Sequence, residues 1–483
     1  MFHLLLTVAL AAATPIQGGY TTEEFPEHGL SLPRPRDFVL APLPMDEYWR
    51  VLYFAEKPSV VQRQGRSKPP ICFVVRIDGD PQGARPASGT SEPIVDFDGY
   101  IAAFHTSYAR SAARGEERER DGYVGNEYDL IPDKESSGAS WCFVYERSQP
   151  TPRTFALIGN CGKQDLQALL PIWREMAGKM RFADPVAPDR SAAERLYAGK
   201  PFSALSTRVD LRMRLVRGWD AEDSEHFIAL VHQPRKPYLK RVLADLEGLH
   251  AAFEDKFAWS TSADVVGVLR LCESRDEYLL YGGDPNFAAL WNDSIGELIL
   301  YDPVKDGDRA GEDAALASLR GQAFAQYAHE QVGKLAHPWF TRGYIDYYSG
   351  AQLSGRSLKV RPSSGLAYVQ RRIEKGDVPP WSELLRAIGA EFDKLKGFYL
   401  SGSLVYFLRE SKEAAAHERW SGLLDRYLST LLATHAEQLE AGSASADARS
   451  AAREAALAAA LEGVDANELG STWARFTSAL RGG

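Results

Sequence analysis

"AQYAHEQVGKLAHPWFTRGYIDYYSG", residues 325–350, carries the letters that decide the fold of this chain. In a helix, two histidines at i and i+4 point the same way and can grip one metal ion. A glutamate just after the first can act as general base on metal-bound water. His329 and Glu330 open such a pattern, but the i+4 position is Gly333, which has no ligand atom. His337 cannot replace it, because eight residues along a helix is about 12 Å of rise. The dipeptide alone says little, since His417-Glu418 repeats it within a charged segment.

The 483 residues suffice for two or three domains, each with its own core. Hydrophobic residues at 45% and charged residues at 25% describe a globular chain and exclude a disordered or collagen-like one. A net charge of −9 disfavours a nucleic-acid partner, which requires a clustered basic face. There is no Walker A loop, no paired-glycine dinucleotide fingerprint and no G-x-S-x-G elbow.

The N-terminus has an apolar run from Phe2 to Ala13 followed by small residues. It is predicted to be a signal peptide over residues 1–20, cleaved after Ala11 or Ala13; the alternative is a buried N-terminal helix. No other stretch approaches ~18 uninterrupted apolar residues, so the mature chain is expected to lack a transmembrane span and to be secreted or periplasmic. Cys142 and Cys161 flank alternating segments around a Gln-Pro-Thr-Pro turn, which predicts a hairpin with a cross-strand disulfide. Four cysteines allow three pairings in all, and Cys72 and Cys272 have no local partner.

Within residues 21–182, the stretch 21–46 is rich in Pro and charge and is expected to be an extended lead-in. From about 47 to 182 strand-like runs such as "ICFVVRI", "WCFVYE" and "TFALIG" alternate with helical ones, and "DLQALLPIWREMAGKM" (165–180) has helical periodicity. This predicts a small α+β domain, whose ending resembles the sandwich domains of the photosystem-extrinsic type. Pro, Gly, Ala and charge over 183–204 mark a linker. From 205 a second pattern runs: a helix at 237–257, strands at 264–272 and 296–302, a helix over 311–337, then helices to the end.

The flanks of His329 add a family to this pattern. "Y-A-H-E-Q-V-G…P-W-F-T-R-G-Y-I-D-Y-Y" is similar to the gluzincin sequence "H-E-x-x-H…W-x-x-E-G-x-A-x-Y", with Trp339, Gly343 and Tyr347 in the frame of the second motif. "LLRAIGAEFDKLKGFYLSGSLVYFLRE" (384–410) and "AALAAALEGVDANELGSTWARFTSAL" (455–480) resemble the C-terminal helices of the peptidase-MA-like family of secreted bacterial proteins. The resemblance covers roughly residues 205–481 and implies an α+β fold: a zincin-like metalloprotease domain with a helical C-terminal part, over 205–483. It makes His329 the first zinc ligand, Glu330 the base, Asp346 the acid orienting that histidine, and Tyr399 a match to the transition-state-stabilising tyrosine. It also makes "GELILYD" (296–302) the edge strand that binds substrate by strand addition.

The departures from the family are specific. Gly333 and Arg342 occupy the second and third ligand positions, and a guanidinium repels a metal ion. One surviving ligand cannot hold a catalytic zinc, which takes three from the protein. Arg342 could take the metal's electrostatic place by pairing with Glu330 or Asp346. The expected protein is a pseudopeptidase without cofactor that binds a peptide, protein or cell-envelope component. One alternative is an active zinc metallopeptidase with Glu330 as base and His329 as ligand; another is a structural protein with a closed cleft. The plainer reading of His329 is an ordinary helix histidine, and of the aromatics at 339–348, core.

Overall fold

The computed structural model describes residues 19–41, 49–66, 69–78, 94–104, 108–132, 138–186, 189–215, 218–257, 265–329, 331–333, 335–354 and 357–481. Residues 1–18, most of the expected signal peptide, and the base candidate Glu330 lie outside the described residues. The chain is mixed α/β, with several sheets and a helical C-terminal part. It divides into two units, one of residues up to Arg190 with Leu279–Tyr281, the other of Ser191–Tyr278 with Gly282–Gly483. Among the described residues no helix is long and apolar enough to cross a membrane.

In the first unit a three-stranded sheet, β1 (Tyr20–Phe25), β2 (Leu30–Pro35) and β11 (Arg181–Phe182), accompanies an eight-stranded one. The latter contains β3 (Phe38–Leu40), β4 (Arg50–Glu56), β5 (Ile71–Asp78), β6 (Tyr108–Arg110), β7 (Arg114–Arg120), β8 (Tyr123–Pro132), β9 (Gly138–Arg147) and β10 (Arg153–Gly162). Three helices belong to this part of the chain: α1 (Pro58–Arg63), α2 (Phe97–Phe104) and α3 (Leu166–Lys179). Period-two alternation gives the large sheet two apolar faces. One face packs Trp141, Phe143, Phe155 and Leu157 against Trp173 and Met176 of α3; the other packs Cys142, Val144 and Ile158 against Phe97 and Tyr100 of α2.

That alternation overturns the expected disulfide. Cys142 stands opposite Ile158, and Cys161 opposite Ala139. The offset of three residues is odd, so Cys142 sits on the α2 face while Cys161 packs on the α3 face. All four cysteines are free thiols. Burial pushes Cys142 above its ordinary value, and burial with the nearby Asp165 charge pushes Cys161 up to about 12. Unreduced, denatured protein is therefore expected to titrate four thiols; a count of two would restore a bridge.

The second unit begins with α4 (Arg190–Tyr197; Arg190 closes the first unit) and α5 (Leu205–Met213). Its sheet runs in the order β12 (Trp219–Asp223), β13 (Phe227–His232), β14 (Gly267–Cys272), β16 (Glu297–Tyr301), β15 (Ala289–Asn292). The central strands β13, β14 and β16 are parallel, and β12 and β15 are antiparallel to their neighbours. The chain crosses between β13 and β14 through α6 (Lys236–Phe257), whose buried Tyr238, Val242, Leu246, Leu249 and Phe253 recur at helical spacing. The short α7 (Arg275–Leu280) precedes β15, and α8 (Gly311–His329) and α9 (Pro338–Ser349) follow the sheet. A hairpin of β17 (Ala351–Ser354) and β18 (Ser357–Val360) leads into the remaining helices. These are α10 (Leu366–Glu374), α11 (Trp381–Leu384), α12 (Gly389–Lys394), α13 (Gly397–Glu410), α14 (Lys412–Ala416), α15 (Leu423–Glu440), α16 (Ser445–Leu461) and α17 (Ala466–Ala479). One continuous core joins the sheet, α6, α8, α9 and α13 through Leu269, Leu298, Phe324, Tyr344 and Leu404.

"GELILY" is thus not the edge. β15, too short for a period-two signal, lies outside it and is the last strand of the sheet among the described residues. Three of its outward backbone groups are already taken. Ser318 of α8 accepts from the Ala289 N–H (3.3 Å) and donates to the Ala289 carbonyl (3.0 Å), and Gln322 accepts from the Trp291 N–H (3.0 Å). An edge whose outward N–H donors are both satisfied by its own helix offers little to an added strand.

Candidate functional site

The helix carrying the opening motif ends where the motif would begin. The predicted helix over 311–337 stops at His329, and the N–H groups of Gln331, Val332 and Gly333 all turn back to the Ala328 carbonyl, at 3.2, 2.9 and 3.0 Å. Gly333 accommodates this turn, since a Cβ there would collide with the His329 carbonyl. Position 333 is therefore not one helical turn above His329 on a common face. Even a histidine at that position would need α8 to be longer.

The other motif residues are dispersed. The crossing of α8 and α9 is set at Gly321, where a side chain would run into the Ile345 carbonyl. This places Asp346 beside Gln322, two helical turns before His329, in a cavity of about 660 Å³ shared with Tyr399, Ser363 and Phe398. His329 instead faces a second cavity of about 420 Å³, with its ring 5.2 Å from that of Trp291. Arg342 is half exposed and its acid neighbour is Asp393, at 3.7 Å. Asp393, rather than Asp346, is thus the acid it pairs with; Glu330 is outside the described residues.

Asp346 is buried and accepts a hydrogen bond from the Ser363 hydroxyl at 2.8 Å. Burial raises its carboxyl to about 7, with the Ser363 bond pulling the other way. The backbone of α13 passes directly over it, since a Cβ on Gly402 would overlap the Asp346 carboxyl. Tyr399 is half buried against Tyr368 and Phe398, its hydroxyl raised by burial and then by the Asp346 charge. His337 caps α9 and is a core histidine. Its Nδ1 lies 2.9 Å from the Tyr427 hydroxyl, and burial lowers it to about 4. Trp339, Phe340 and Tyr344 are core as well.

The smaller cavity contains ionisable groups that lie outside the gluzincin-like motif. His226 enters from the residue before β13, and His250 and Glu254 come from one face of α6, four residues apart. The two imidazoles stack with centroids 4.0 Å apart at 16°. Glu247, one turn before His250, accepts from the His226 backbone N–H (2.9 Å) and lies 2.7 Å from its Nδ1. Burial works to raise Glu247, but hydrogen bonds from Ser224 and from the His226 ring and backbone outweigh it, and its carboxyl lies below the ordinary value. Burial, then the neighbouring His226, lowers His250. The legible signal was H-x-x-x-E at 250–254, which on any helix puts both side chains on one face; its partner His226, in the loop before β13, could not be paired with it by spacing.

No known protein family and no curated protein matches the chain. Among solved structures it is similar to LpqN, described as involved in cell envelope biogenesis of Mycobacterium tuberculosis. That match has 14% identity and a TM-score of 0.22, and covers 35% of this chain and 90% of that one. It is also similar to the cyanobacterial PsbP, CyanoP, of Synechocystis sp. PCC 6803, at 10% identity and a TM-score of 0.24, over 36% of this chain and 99% of that one.

Proposed function

We propose that the chain is an exported pseudopeptidase of the peptidase-MA-like, gluzincin type: a zincin-like scaffold that holds a peptide, protein or cell-envelope component without cutting it. Export rests on the apolar run from Phe2 to Ala13. The observation that carries the loss of catalysis is the end of α8 at His329, which removes the helical turn needed to present a second ligand. The separation of His329 from Asp346 into different cavities supports the same reading. The ligand surface is then the larger cavity, where the apolar Phe287 and Phe398 face the polar Arg275, Asp346, Ser363 and Tyr399.

A second reading, a structural protein with a closed cleft, draws support from the occupied edge of β15. The two differ in whether the larger cavity takes a ligand, which Phe398→Ala and Ser363→Trp variants would distinguish in a binding screen against envelope fractions. For catalysis, wild type and Glu330→Gln are incubated with casein and with short peptides, with and without chelator. No turnover is expected in any arm. Chelator-sensitive hydrolysis that disappears in Glu330→Gln would overturn the proposal and restore the active metallopeptidase.

A further inference from the structure

We infer that His226, His250 and Glu254 form a site for one divalent transition-metal ion, zinc foremost, that ties the entry of β13 to α6. None of the three belongs to the gluzincin-like motif, so the site stands independently of that resemblance. Each residue offers one ligand atom, and the three atoms lie within 4.8 Å of one another. The separation between His250 Nδ1 and a Glu254 carboxylate oxygen is 3.6 Å. Two ligands of one tetrahedral zinc, each about 2.0–2.2 Å from it, stand about 3.3–3.6 Å apart. Two nitrogens and a carboxylate oxygen suit zinc, cobalt or nickel rather than magnesium or calcium, which prefer oxygen alone.

Three further observations point to a cation. His250 Nδ1 is buried and has no hydrogen-bond partner, an unusual state for a ring nitrogen and one that coordination would relieve. His226 carries the arrangement that metal-binding histidines use: Nδ1 against the Glu247 carboxylate, which fixes the proton there and leaves Nε2 with its lone pair. Lastly, the surroundings are anionic. Glu225, Glu247 and Glu254 surround the two imidazoles, and no Lys or Arg is among the described residues lining the cavity. The rings are stacked face to face, so closing on an ion requires one to turn about its Cβ–Cγ bond, into the cavity of about 420 Å³ beside them. Arg208 holds the strand end that presents His226, donating to the carbonyls of Glu225 and Phe227 on either side of it, both at 3.0 Å.

The test uses the full chain, stripped with chelator and titrated with Zn²⁺ and with Co²⁺, reading stoichiometry, the cobalt ligand-field spectrum and the melting temperature. Wild type is expected to bind one ion and to melt higher when loaded. His250→Ala and Glu254→Gln should lose saturable binding at concentrations that fill wild type, and Glu247→Gln should weaken it ~10–100-fold through loss of orientation. Glu254 is partly exposed, so Glu254→Gln remains decisive if a histidine variant fails to fold. His329→Ala should bind as wild type does. Absence of stoichiometric metal in wild type, or its retention in Glu254→Gln and His250→Ala, overturns the inference. So does its loss in His329→Ala, which would move the ion to the end of α8.

Discussion

Asp346→Asn is expected to stabilise the protein at pH 8 and to leave it nearly unchanged at pH 4. The carboxyl is raised from its ordinary value near 3.8 to about 7 because it is buried beneath α13, a burial that the single hydrogen bond from Ser363 only partly offsets. A raised acid binds its proton more tightly in the folded state than in the unfolded one. Between these two values the folded chain therefore holds a proton that the unfolded chain has released, and stability falls as pH rises. Over about three pH units at about 1.4 kcal/mol each, the loss is on the order of 4 kcal/mol, complete above the folded value and absent below the unfolded one. Asparagine cannot ionise and so avoids it, less whatever the extra amide hydrogens cost in that site. Urea denaturation of both proteins at pH 4 and pH 8 measures the effect. Equal pH dependence in the two proteins would show that Asp346 ionises freely.

Arg208→Ala is expected to destabilise the second unit by about 2–4 kcal/mol, from buried carbonyls that lose their donor and from the space the side chain leaves. The Arg208 side chain is fully buried and makes four well-formed bonds. Nε donates to the Ser203 carbonyl (2.9 Å), and the terminal nitrogens donate to Asp223 (2.8 Å), Phe227 (3.0 Å) and Glu225 (3.0 Å). These bonds fasten α5 to the loop between β12 and β13. Arg212 retains Asp223 through a 2.6 Å bond and the Phe227 carbonyl keeps the Ser224 N–H at 2.9 Å, so neither is stranded, but the Ser203 and Glu225 carbonyls lose the Arg208 donor. Arg208→Lys should rescue little, because a single ammonium cannot span the fork. Chemical denaturation tests this, and a loss under about 1 kcal/mol would mean the four bonds contribute far less than buried hydrogen bonds to a charged group should. Because the same bonds hold the backbone around His226, zinc affinity should fall together with stability.

Much of the second unit was legible as a sequence of elements. Lys236–Phe257, Gly267–Cys272 and Glu297–Tyr301 appear where hydrophobic period and length placed them, since these signals are local. Three things were not local. Whether α8 continues past His329 depends on a three-way return of N–H groups to Ala328, which no periodicity records. Whether "GELILY" is an edge depends on a four-residue strand too short to show alternation. And Cys142 and Cys161, close in the hairpin by count, are parted by register parity, which the turn decides.

The candidate site divides the same way. By itself the sequence determined that His329-Glu330 is followed by glycine at i+4, that Arg342 stands where the gluzincin resemblance would put a ligand, and that His250 and Glu254 lie four residues apart in a helical stretch. These are facts of residue type and helical spacing. Only the tertiary structure decided which groups meet: Asp346 with Tyr399 and not with His329, Arg342 with Asp393, and His226 with His250 and Glu254. Their partners come from elements far apart in the chain, and what brings them together is sheet order and the close helix crossing at Gly321, which are properties of packing.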